Sequence, residues 1–102
     1  GRTPADQPIV CAAAVARPAE GGAVSARVAV GGLLAGDLKL LDLTLDASQP
    51  DISPVDGIAS GLPESVLLSD YLGSADYRQS IAPVLARRAL TAALGRLGVR
   101  VG

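Results

Sequence analysis

The chain has 102 residues, enough for one domain and little more. Its formal charge is −1, it has no His and it has one Cys. That inventory effectively excludes zinc and other transition-metal sites, and it excludes Ser or Cys nucleophiles activated by a histidine.

Hydrophobic residues make up 49% of the chain, but Phe, Trp and Met are absent and Tyr occurs twice. The core must therefore be built from Ala, Val, Leu and Ile. Burying one Val or Leu contributes roughly 1.5–3 kcal/mol before entropy is subtracted. Modest stability and support from a larger partner are the expectation. The charge is unevenly spread. Asp37, Asp42, Asp46, Asp51, Asp56, Glu64, Asp70 and Asp76 face only Lys39, whereas the stretch from Arg78 onward holds five arginines and no acid. The last helix is expected to answer the acidic middle. A slightly negative chain without an aromatic platform argues against nucleic acid. No apolar run reaches membrane-span length and no signal-peptide layout opens the chain, so a soluble, cytoplasmic protein is expected.

In chain order, Gly1 to Gln7 is polar and turn-rich. Ile9–Arg17 is a nearly continuous apolar run, suited to a strand buried on both faces, with a helix as the alternative. Cys11 lies in this run, where a free Cys acts as a small hydrophobe. Pro18 and Gly21-Gly22 mark a hairpin loop. Over residues 23–31 a period of two places Val24, Ala26, Val28 and Val30 on one face and Arg27 on the other, and Gly31-Gly32 is expected to end the strand. Asp37–Asp46 predicts a third strand carrying Leu41, Leu43 and Leu45, with a helix as runner-up. Leu40-Leu41 breaks its phase and suggests a bulge or a late start. Residues 47–61, with Pro50, Pro54, Gly57 and Gly61, read as a long loop. Leu62–Leu68 suits a short helix. A long helix follows, with Ser74 as N-cap, Pro83 as a kink or break and Gly98 as C-cap. The predicted architecture is α+β: a three-stranded antiparallel sheet packed on C-terminal helices.

The stretch Ser69-Asp70-Tyr71-Leu72-Gly73-Ser74-Ala75-Asp76-Tyr77-Arg78, followed by Val84-Leu85-Ala86-Arg87-Arg88-Ala89-Leu90, resembles the C-terminal signature of the FAD-binding subunits of molybdenum hydroxylases, of the carbon monoxide dehydrogenase and xanthine dehydrogenase type. Upstream, Ala26–Gly32 is similar to that family's "ARxAxGG" strand end, and Asp6 with Ile9-Val10 is similar to its entry strand. The resemblance covers nearly the whole chain as a single domain, residues 1–102. The Pro-rich, acidic stretch between Gly32 and Leu62 departs from the family's helix-forming pattern.

The resemblance implies a non-catalytic domain that supports an upstream FAD-binding domain. It also implies partner subunits holding molybdenum and iron–sulfur clusters, which feed electrons to FAD. It gives this chain no catalytic and no metal-binding residue, and no cofactor of its own. Arg2 and Asp6 are the residues it places near the flavin, in the full subunit only. Asp70, Ser74, Tyr77 and Arg78 form its structural motif. Ser74 caps the helix, Tyr77 is expected to be buried at the sheet–helix junction, and Arg78 is expected to pair with Asp70. A free-standing interaction or assembly module without flavin is the alternative.

Overall fold

Strict side-chain alternation dictates how the sheet is built. In a computed structural model, which describes residues 10–34, 37–60 and 75–101, the strands β1 (Cys11–Pro18), β2 (Ala23–Leu34) and β3 (Asp37–Asp46) form one antiparallel sheet in the order β1-β2-β3. The register sets Ala14 opposite Val28 and Val28 opposite Leu41, so one face collects Ala12, Ala14 and Ala16, the β2 valines, and Leu41, Leu43 and Leu45. Val24, Val28 and Val30 are buried and Arg27 points to the other face, as the period of two predicts.

The β1–β2 hairpin closes through a short 3-10 turn at Glu20–Gly22. Gly21 and Gly22 both have positive φ, 71° and 78°, a conformation that Gly adopts without a Cβ clash. The Ala19 amide donates to the Ala23 carbonyl at 2.8 Å and locks the turn.

The helix α1 (Ala75–Arg96) lies across β1 and β2 on the valine face. It buries Ala82, Ala86, Leu90, Ala93 and Leu94, a stripe at helical spacing. Pro83 sits inside α1, and the helix continues through it as one element instead of dividing. At the C-terminus the expected glycine stop is present. Gly98 has φ 77°, its amide donates to the Gly95 carbonyl at 3.0 Å, and the Val99 amide donates to the Leu94 carbonyl at 2.9 Å. That pair of bonds, with buried Val99 returning to the core, is a Schellman stop.

Four expectations need correction. First, β1 is not buried on both faces: its residues alternate between exposed and half-buried, and Cys11 is exposed. Runs of small apolar residues satisfy either pattern, and only the position of α1 decides which face is covered. Second, Gly31-Gly32 does not end β2, which runs on to Leu34; the register shift lies between Val30 and Leu34. Third, β3 pairs without interruption from Lys39 to Asp46, so the irregularity belongs to β2 and not to Leu40-Leu41. Fourth, the segment after β3 is not structureless. A 3-10 helix at Ser53–Gly57 is buried through Val55, and Ile52, Ile58 and Ala59 join the core beside it. The predicted helix at Leu62–Leu68 lies outside the described residues.

The result is a small α+β domain, a three-stranded antiparallel sheet packed against one C-terminal helix. Among the described residues the core is built from Ala, Val, Leu and Ile, together with Arg78. Leu90 is fully buried. Leu90→Ala is expected to cost about 2–5 kcal/mol, whereas Val15→Ala on the open face should change stability by less than about 0.5 kcal/mol. Urea melts of the two variants check the contrast.

Candidate functional site

The bulge in β2 is where the sheet and the helix are tied together. Gly32 has φ 85°, which a residue with a Cβ rarely adopts. The break in register there leaves its carbonyl outside the ladder. Arg78, one turn into α1, donates from Nη1 to that carbonyl at 2.6 Å. Arg78 is 2% exposed and is the largest fully buried side chain among the described residues. Its methylene stem fills the space that a chain without Phe, Trp or Met has no large apolar residue to fill.

Tyr77 was expected in that space, and it is 49% exposed. Neighbouring helix positions differ by about 100°, so with Arg78 turned to the sheet Tyr77 faces outward. The sequence pointed to the aromatic side chain, and the structure puts Arg78 there in its place. An Arg among apolar helix positions reads as solvated unless its acceptor, here a backbone carbonyl, is known.

The remaining residues singled out by sequence, Arg2, Asp6, Asp70 and Ser74, lie outside the described residues, and with them the Arg78–Asp70 pairing. The described helix runs from Ala75. The expected answer of the helix to the acidic middle is found at Arg87, whose Nη2 meets both carboxylate oxygens of Asp56 at 2.6 Å. Gln79 adds a second tie, from Nε2 to the Ala59 carbonyl at 3.1 Å. α1 is therefore held by polar bonds to the sheet on one side and to the 47–60 segment on the other.

The opposite face of the sheet is open among the described residues. Its upper rows carry Cys11, Ala13, Leu38 and Leu40; its lower rows carry Val15, Arg17, Ser25, Arg27, Asp42 and Thr44. Val15, Leu38 and Leu40 are 59%, 55% and 51% exposed. The lower rows line a shallow groove of about 470 Å³. Arg27 grips the cross-strand Asp42 with two bonds, Nε to Oδ1 at 2.6 Å and Nη2 to Oδ2 at 3.1 Å. The bond from Arg27 holds the Asp42 carboxyl below the usual carboxylate range, and the same bond raises Arg27. Asp46 is lowered by the Ser48 hydroxyl and amide, and Asp51 by Ser53. Both are local turns that bond their own backbone.

No group of His, Cys, Asp or Glu able to hold a metal occurs among the described residues. No described helix is long and apolar enough to cross a membrane. Chemically, the arrangement offers a mechanical joint at Arg78 and a surface at the open sheet face. Compared with family models, with curated proteins and with solved structures, the chain gives no match.

Arg78→Ala leaves the Gly32 carbonyl without its donor, and the expected loss is about 1–3 kcal/mol. Tyr77→Ala is expected to cost less than about 1 kcal/mol, in line with a partly exposed position. Chemical denaturation of both variants tests this order; a larger loss at Tyr77 than at Arg78 would reverse the assignment.

A second expectation concerns acid. Asp42, Asp46 and Asp51 are depressed in the folded state, so each contributes stability that is present above the ordinary aspartate value of about 3.9 and is lost as pH falls through the folded values. Thermal midpoints should be nearly flat above about pH 5 and should fall below about pH 4. Asp46→Asn should flatten part of that fall.

Proposed function

We infer that the chain is a non-catalytic domain of the FAD-containing subunit of a molybdenum hydroxylase-type oxidoreductase. In this reading it supports the flavin domain and the assembly of subunits that pass electrons from a molybdenum centre through iron–sulfur clusters to FAD. The observation that carries the reading is the bond between Arg78 and the Gly32 carbonyl. It joins two separate elements of the resemblance, the Ala26–Gly32 strand end and the Ser74–Arg78 helix start, which lie far apart in sequence and have a physical reason to occur together. The glycine supplies the positive φ that presents the carbonyl, and the arginine satisfies it.

In this role the domain does no redox chemistry. FAD carries a pyrophosphate, which proteins commonly hold with Gly-rich backbone amides or a helix N-terminus, and the flavin-binding segments belong to the upstream domain. FAD would supply the electron transfer there, with protein groups providing position and electrostatics. The alternative, a free-standing interaction or assembly module, is favoured by a different observation: one face of the sheet exposes Val15, Leu38 and Leu40.

The test uses two samples. The gene product that includes this chain and whatever precedes Gly1 should purify with FAD, read as visible flavin absorbance and released cofactor. The 102-residue chain, mixed with FAD and gel-filtered, should carry none. A longer gene product without flavin, or stoichiometric flavin on the isolated chain, would overturn the reading.

A further inference from the structure

We draw no further inference here: the strongest candidate, the open face of the sheet with its shallow groove between Val15 and Thr44 and the exposed Leu38 and Leu40 beside it, carries nothing because nothing in the structure shows what covers it.

Discussion

A guanidinium inside an aliphatic core must have its donors satisfied, because burying a polar group without a partner costs more than most single packing contacts return. Arg78 meets part of that demand at the carbonyl of Gly32, and the local structure follows from it. The carbonyl is presented because β2 loses register after Val30 and Gly32 takes a positive φ. The rotation of α1 follows from turning position 78 toward the sheet. That rotation sends Tyr77 outward and brings Ala82, Ala86 and Leu90 onto the valines of β2. No buried side-chain nitrogen or oxygen among the described residues is left without a partner.

Small side chains shape the rest. With only Ala, Val, Leu and Ile available, close approach replaces bulk: alanines on β1 and on the facing side of α1 let helix and sheet come near each other. The helix covers β1 and β2. The 47–60 segment supplies Ile52, Val55 and Ile58 to the same core, and Arg87–Asp56 joins it to α1 at the rim. That ion pair is exposed and acts as a positioning contact more than as a source of stability. All of this material lies on one side of the sheet, which is why the other side keeps aliphatic residues in contact with water.

The functional reading has the same structural root. Among the described residues, Arg78 fastens helix to sheet through the Gly32 carbonyl. The bond between Gly32 and Arg78 gives a folding reason for a Gly-Gly pair in β2 and an arginine near the start of α1 to occur together. Fold alone does not imply an activity, so the assignment to a flavoprotein rests on the motif residues and stands as a proposal.

The sequence by itself determined the alternation of the central strand and the final helix with its glycine stop, and it favoured strands over helices on either side, because these follow from local periodicity and backbone chemistry at Val24–Val30, Leu41–Leu45 and Gly98. It determined that Arg27 lies away from the valines, since a period of two allows nothing else. It did not reveal the 3-10 helix at Ser53–Gly57, although Ile52, Val55 and Ile58 recur every third residue, because Pro50, Pro54 and Gly57 signal a loop more strongly than three aliphatics signal a turn of helix. It pointed to Tyr77, where the structure buries Arg78, and to a β1 covered on both faces, where one face meets water. Those choices depend on where α1 lands on the sheet and on a carbonyl exposed by a bulge in another strand. Both are contacts between segments distant in sequence, and only the tertiary structure brings them together.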